Sequence, residues 1–503
     1  MTRTESALAG VAAAGGGIAV GQLLGSLVNP ASAPLVAVGS AIIDLAPPPV
    51  KEWATSTVGT ADKPLLIAGI AVVVGLVGAG AGIAARRRRA IGDVACAAFG
   101  LAGVLAAVTR ASAGTLDALP SLLAAVVAAA LLRWQLGWLS RGGSGPERPQ
   151  ARPKTGFDRR VLLTGGAGVL AAAATATLPG ATPAQGPKTP IQLPPPSSTA
   201  PPLPAGLDAT VPGISPFRTP VADFYRIDTA LFLPQLDTAG WKLQVNGLVA
   251  QSFEVTWAEL LAMPMIERDI TLTCVSNEIG GPYCGSTRWQ GVRVADLLRR
   301  AQPAPGADMV LSTSTDGFTA GTPLAVLLDG RDAMIAVAMD GQPLPREHGF
   351  PARLLTPGLY GYVGATKWLK SLTVTTFAAD QAYWTIRGWG ERGPVKTATR
   401  IDTPQGRIQA GETVIGGVAW ATHRGISKVE VQVDGEDWLP ARLGPDAGLD
   451  YWRQWYLPWT ATVGTHRLAA RAYDGDGVVQ TAQVQGVLPD GPTGYHVVTA
   501  AVG

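Results

Sequence analysis

The segment Thr271-Leu272-Thr273-Cys274-Val275-Ser276-Asn277-Glu278-Ile279-Gly280-Gly281 turns from strand-like to loop-like at a cysteine. Ile270 to Thr273 is an extended, half-apolar run, and the residues after Cys274 are mostly polar and end in two glycines. A thiol placed where a strand opens into such a turn is exposed enough to act as a ligand. Its thiolate is a soft donor suited to a transition metal. The same residue also reads as a structural thiol, or as one half of a disulfide with Cys284 in an oxidising compartment. The chain has three cysteines, Cys96, Cys274 and Cys284, and Cys96 sits in an apolar run. Three cysteines make no disulfide framework.

Outward from this segment the chain alternates short strands with short helices. Trp241 to Val245 alternates apolar and polar residues and breaks at Asn246-Gly247, a turn pair. Trp257 to Ala262 and Val294 to Ala301 read as helical pieces. Residues 205–390 are therefore expected to form an α+β domain, bounded as 217–392. Residues 393–503 read as almost all strand, with turn pairs at Asp434-Gly435, Gly444-Pro445 and Asp474-Gly475. That pattern predicts an immunoglobulin-like sandwich without the paired cysteines of an antibody domain.

The amino-terminal part obeys a different rule. The whole chain of 503 residues is 47% hydrophobic and only 15% charged, and most of the excess lies in the first 180 residues. Five stretches approach the length that crosses a bilayer as a helix: Ala7 to Val28, Leu65 to Ala85, Ile91 to Thr109, Leu119 to Leu139 and Val161 to Ala181. Pro34 to Asp44 is too short to span. Residues 1–182 are thus expected to be an all-α anchor of about five helices. Arg86 to Arg89 join the second and third spans, and Arg133, Arg141, Arg148, Arg152, Lys154, Arg159 and Arg160 cluster between the fourth and fifth. The positive-inside rule makes both loops cytoplasmic and puts everything after Ala181 outside the cell membrane. Phe157-Asp158-Arg159-Arg160-Val161-Leu162-Leu163 has the look of a twin-arginine export signal, and equally of a cytoplasmic boundary. The four histidines all lie at or after residue 348, so the spans hold no axial ligand for a membrane haem, and no haem is expected. Residues 183–216, dense in Pro, Ser, Thr and Ala, read as a linker uncovered by core. A net charge of +3 with one short arginine run gives no reason to expect nucleic acid as a partner.

Three further stretches join the cysteine segment: STRWQGVRVADLL (Ser286 to Leu298), GQPLPREHGFPARLLTPGLYGYVGATKWLKSL (Gly341 to Leu372) and the closing strand-rich segment. In this order, over about Pro216 to Val498, they resemble the sulfite oxidase family of molybdopterin enzymes in a membrane-anchored bacterial form. The resemblance implies a molybdenum-molybdopterin cofactor with Cys274 as the protein ligand to the metal. It implies that His348 and Arg353 contact the pterin and its phosphate, a role suited to the planar guanidinium fork. Gly364, Thr366 and Lys367 match the loop at the pterin tail. Tyr225, Arg226 and Ser314 match further cofactor contacts.

Where animal and plant sulfite oxidases carry arginines after the cysteine, this chain keeps Asn277 but has Glu278 and Ile279. Arg288 and Arg387 are the cations expected to rebuild an oxyanion pocket. The implied reaction is oxygen-atom transfer on a small oxyanion or an S-oxide, with sulfite oxidation as the leading expectation. Reduction of S-oxides, of the methionine sulfoxide type, is the second. No Cys-x-x-Cys-His haem motif occurs, so a quinone or a cytochrome is expected to exchange the electrons. The family's closing domain implies a homodimer, and Cys274 and Cys284 are expected to be free thiols in the active form. The rival of another class is a non-enzymatic immunoglobulin-like surface binding protein.

Overall fold

The structure is a computed structural model, which describes residues 2–47, 50, 57–58, 62–110, 113–141 and 191–503. The fold divides into two units: residues 1–185 with Thr229–Leu233, and residues 186–228 with 234–503.

In the first unit lie α1 (Arg3–Val28), α2 (Pro34–Leu45), α3 (Asp62–Ala85), α4 (Arg89–Val108) and α5 (Leu119–Arg141). Among the described residues, α1, α3, α4 and α5 are long and apolar enough to cross a membrane. The sequence expectation of five spans included Val161–Ala181, which lies outside the described residues with the twin-arginine segment. Pro34–Leu45 is the short helix its length implied. Close backbone approach holds α1 to α3. A Cβ on Gly10 would stand 1.9 Å from the Gly78 carbonyl oxygen, so only glycine fits. Lipid tails are as apolar as leucine, and small residues that let helices touch then drive their packing.

The second unit begins with two sheets. One orders β2 (Phe253–Thr256), β1 (Lys242–Gly247), β10 (Leu369–Thr375), β5 (Met309–Ser314) and β6 (Thr319–Pro323). The other orders β3 (Met265–Thr273), β4 (Cys284–Arg293), β7 (Met334–Met339) and β8 (Gln342–Pro343), with β9 (Arg353–Leu355) also on β7. Leu243, Val310 and Leu372 from the first sheet share one core with Val292, Ile335 and Leu354 from the second. Helix α6 (Trp257–Ala262) starts at a capping box between Thr256 and Glu259. Helix α7 (Val294–Ala301) buries Val294, Leu297, Leu298 and Ala301, the one-face spacing its sequence predicts. The short helices α8 (Leu324–Leu328) and α9 (Gly361–Gly364) complete this part.

Beyond residue 395 the chain is all strand. One sheet orders β11 (Ala398–Thr403), β13 (Gly411–Trp420), β17 (Arg453–Ala461) and β16 (Arg442–Leu443). Its neighbour orders β12 (Arg407–Ile408), β19 (His496–Val502), β18 (Gly464–Asp474), β14 (Ile426–Val433) and β15 (Leu439–Pro440). Ile401, Ile415 and Trp455 of the first meet Val429, Val431 and Leu468 of the second in a common core.

Residues 191–216 depart from the linker reading. Their backbone carries no regular element before a single 3-10 turn at Leu207–Ala209, but it is pinned. Ser197 N–H donates to Met265 O at 2.8 Å, and Glu267 N–H donates to Ser198 O at 2.8 Å. Gln290 Nε2 donates to Pro194 O at 2.7 Å. Farther on, Gln454 accepts from Leu207 N–H and donates to Ser215 O. An extended chain leaves its own polar groups unpaired, and the edge of β3 offers partners for them.

Candidate functional site

Strands β3 and β4 pair antiparallel in unbroken register from Met265–Val292 to Thr273–Cys284. The loop between them carries Cys274 and is closed from within. Cys274 N–H donates to Tyr283 O at 2.9 Å, Asn277 N–H to Cys274 O at 3.1 Å, and Tyr283 N–H to Asn277 Oδ1 at 2.7 Å. From the strand-rich segment, Arg400 Nη1 donates to Gly281 O at 2.9 Å. Gly280 has φ +77°, and His496 packs against its Cα. The loop is thus held at five points before any ligand is considered.

Cys274 Sγ lies 3.0 Å from Ser276 Oγ. Burial raises its thiol above the ordinary value, against the pull of Ser276 and of the Lys367 ammonium. Cys284 is buried and its thiol is pushed up to about 12, again by burial. It pairs directly with Thr273, so its side chain follows that of Thr273 into the core with Val275 and Tyr360. Both are free thiols in the structure.

Beside Cys274 stands a group of buried cations. Arg353 is 5% exposed; its Nη1 donates to His348 O at 3.1 Å and its Nη2 to Ala365 O at 3.2 Å. Its Nε is buried without a partner, and among the described residues no carboxylate pairs with it. Burial draws the guanidinium down to about 10. Lys367 Nζ donates to Asp228 Oδ2 and to Glu347 O, each at 3.0 Å, and burial lowers it to about 8. Arg226 Nε reaches the same Asp228 oxygen at 2.9 Å. His348 is buried edge-on against Phe224, with Nε2 3.3 Å from Val221 O. Burial, and then Arg353 and Lys367, lower it to about 4. The Tyr225 hydroxyl is driven well above its ordinary value by burial first and then by Cys274, against the pull of Arg353.

Arg226 and Lys367 therefore share one carboxylate, Asp228, while among the described residues no carboxylate pairs with Arg353. An unpaired buried guanidinium is costly, and a bound anion relieves the cost. A phosphate-bearing pterin that leaves one metal position to a thiolate fits both the cation surplus and the free Cys274. The remaining expected contacts brace this cradle. The Thr366 hydroxyl is tied to Ser312 at 2.7 Å, and Leu354 N–H donates to Thr366 O. A Cβ on Gly364 would stand 2.9 Å from that of Thr356. Ser314 is buried at the end of β5, in register with Leu369.

Arg288 and Arg387 are not brought to the thiol's pocket. Arg288 faces Asp269 across the β3–β4 ladder and grips it with Nε at 2.8 Å and Nη2 at 2.7 Å, with Glu267 at 3.4 Å. Asp269 lies five residues before Cys274, about 16 Å along a strand. The oxyanion-binding role expected of Arg288 has no geometric support, because cross-strand register commits it to an acid. Arg387 stacks 3.7 Å above the ring of Tyr383 and donates to its carbonyl. Not singled out from the sequence are Ser276, Asp228, Arg400, His496, and Tyr360 and Trp420, which with Cys274, Asn277 and Glu278 line a pocket beside the cysteine loop. Arg400, His496, Tyr360 and Trp420 come from 86 to 222 residues beyond Cys274, and no local pattern signals them.

A family model described as "Oxidoreductase molybdopterin binding domain" matches residues 230–384. The human mitochondrial sulfite oxidase is 27% identical over 285 residues, 47% of this chain and 52% of that protein. Nitrate reductase [NADH] 1 of Oryza sativa subsp. japonica is 27% identical over 332 residues, 51% of this chain and 35% of that one. The uncharacterized oxidoreductase YuiH of Bacillus subtilis (strain 168) is 32% identical over 157 residues, 31% of this chain and 76% of that protein. The chain spans about half the length of the human relative and about a third of the rice one.

Proposed function

We propose, from the premise that this chain belongs to the sulfite oxidase family of molybdopterin-dependent oxidoreductases, that it transfers an oxygen atom to or from a small substrate at a molybdenum centre bound through Cys274. The observation that carries this reading is the buried guanidinium of Arg353, whose Nε has no partner, together with the free thiol of Cys274, on which the buried Lys367 ammonium acts. The molybdenum cofactor, when bound, supplies the two-electron redox chemistry. The chain's own residues bind and orient. Cys274 gives a thiolate donor, which coordination to a cation deprotonates in spite of its burial. Arg353, Lys367 and Arg226 take the negative charge of the pterin phosphate. His348, lowered to about 4, is neutral at pH 7 and serves as a hydrogen-bonding group rather than a charge. Asn277 keeps the cysteine loop in shape.

The first helices serve as a multi-pass anchor in the cell membrane, and the arginine distribution puts the catalytic unit on the extracytoplasmic side. Residues 393–503 form an immunoglobulin-like module that joins two copies of the chain. Sulfite oxidation is the reading that the human relative's name suggests: sulfite and water yield sulfate, two protons and two electrons, the electrons passing to a quinone or cytochrome. The reverse sense has a specific observation in its favour. Glu278 and Ile279, not arginines, line the pocket over Cys274. A sulfoxide would take two electrons and two protons and leave as a thioether and water, with a membrane quinol or cytochrome as the donor.

The full chain is produced in a host that makes the cofactor, and molybdenum and pterin are measured in wild type and Cys274→Ala. Stoichiometric metal in the wild type and its loss in the variant is the expected result. A metal-free wild type would sink the enzyme reading and favour a surface binding protein. Titration of the loaded protein with sulfite, followed by absorbance and paramagnetic resonance, then separates the two directions.

A further inference from the structure

We infer that the Ser276 hydroxyl donates a hydrogen bond to the Cys274 sulfur when that sulfur holds the metal, and that this bond raises the metal's reduction potential. The inference rests on the reading of Cys274 as the metal ligand and adds to that site a positioning residue, one that acts through the cysteine. Ser276 Oγ lies 3.0 Å from Cys274 Sγ, and either atom can donate in the free protein. A thiolate bound to a metal carries no proton, so only the hydroxyl can then donate.

The loop builds this contact in. Cys274 to Asn277 is one tight turn, closed by Asn277 N–H on Cys274 O at 3.1 Å, and Ser276 occupies its third position. Asn277 is fixed in turn, because Tyr283 N–H donates to its Oδ1 at 2.7 Å. The hydroxyl therefore stays beside the sulfur unless the turn opens. Neighbouring groups are committed elsewhere or carry no donor. Lys367 Nζ donates to Asp228 Oδ2 and Glu347 O, and the Val275 side chain is apolar and buried. Among the described residues Ser276 is the one side chain hydrogen-bonded to the sulfur, and its hydroxyl has no competing partner. Backbone hydrogen bonds from Ser276 and Val275 reach the same sulfur.

A donor on a ligating sulfur draws charge from it, and the metal then loses some of the electron density the thiolate supplies. The electron-richer, reduced state of the metal is stabilised and the potential rises. Hydrogen bonds around a cysteine sulfur tune copper and iron–sulfur sites in this way. Partners that hold a ligand from behind carry much of a metal site's behaviour. A raised potential favours the sense in which the metal takes electrons from its substrate. The backbone donors remain when the Ser276 side chain is replaced, so a substitution there removes the hydroxyl's contribution alone.

The test uses the full-length protein from a host that makes the cofactor, as wild type, Ser276→Ala and the equal-shaped pair Ser276→Thr and Ser276→Val. Metal content is measured first. The metal's reduction potential then comes from a mediated redox titration, and the sulfur-to-metal charge-transfer band from absorbance. Ser276→Ala and Ser276→Val are expected to hold metal. At a fixed poise their oxidised-to-reduced ratio rises about tenfold, the worth of one hydrogen bond to a charged group, or about 59 mV for one electron. Their band moves to longer wavelength. Ser276→Thr keeps the hydroxyl and restores both values. A loaded Ser276→Val that matches Ser276→Thr in potential and band overturns the inference and leaves the enzyme reading intact. Equal loss of metal from that pair also overturns it, since side-chain shape and not the hydroxyl then decides. A metal-free wild type, or a Cys274→Ala protein that keeps its metal and its band, overturns Cys274 as the ligand and this inference with it.

Discussion

Asn277 Oδ1 accepts the backbone N–H of Tyr283 at 2.7 Å, so one side chain spans the loop that presents Cys274. Asn277 is 5% exposed, and its removal leaves a buried donor unpaired. Asn277→Ala is expected to cost about 1–2 kcal/mol and to lower the molybdenum content. Asn277→Asp, which keeps an acceptor, recovers most of both. Thermal melts and metal analysis of the three proteins check this, and an unchanged alanine variant would mean the loop is held without Asn277.

Arg353 is expected to matter through the shape of its guanidinium as well as its charge. Arg353→Lys keeps a cation and loses the planar fork that pairs with a phosphate. Pterin affinity should fall about tenfold, and Arg353→Met should abolish loading. Released pterin, measured by fluorescence, gives the readout. Full pterin content in Arg353→Met would remove this residue from the cofactor site.

Gly280 and His496 form a pair that a double-mutant cycle can separate. A Cβ at Gly280 would stand 2.1 Å from His496 Nε2, at a φ of +77°. Gly280→Ala is expected to cost about 1–2 kcal/mol for the left-handed backbone and a further 1–3 kcal/mol, roughly, for the overlap. Adding His496→Ala relieves only the second part. Strict additivity of the two variants in denaturant unfolding would contradict the contact.

His348 makes the stability of the cofactor-free protein depend on pH. Its pKa falls from 6.5 to about 4 on folding, so the unfolded chain binds the proton more readily. The stabilisation is complete above about 6.5 and is lost as pH falls from there toward about 4, up to about 3 kcal/mol. Urea midpoints between pH 7 and 4 should show this slope, and His348→Gln should flatten it. An identical slope in the variant would assign the effect to other groups.

The strand at Lys242–Gly247, which runs on through the break expected at Asn246-Gly247 because both residues pair with Leu369–Thr375, the helices at Trp257–Ala262 and Val294–Ala301, and the apolar helices were legible because each is a local pattern. Turn pairs, a capping box and one-face apolar spacing act over a few residues. The cysteine and the His348–Arg353 stretch were legible for another reason: chemistry concentrated in one short segment stands out. Residues 191–216 misled because proline-rich composition fixes the backbone's extension but says nothing about which edge it meets. Arg288 misled because its partner Asp269 is set by register between two strands.

From the sequence alone come the membrane-length helices, the order of the segments, the candidate ligand Cys274 and the cations that suit a phosphate. Composition and short-range spacing are properties of the chain itself. Only the tertiary structure decided which of those cations lacks an acid, which arginine is used up in a ladder, and which strands from the far end wall the pocket beside Glu278. Those outcomes depend on distances between residues far apart in the chain. A charge acts over a few ångströms of space, whatever its place in the sequence.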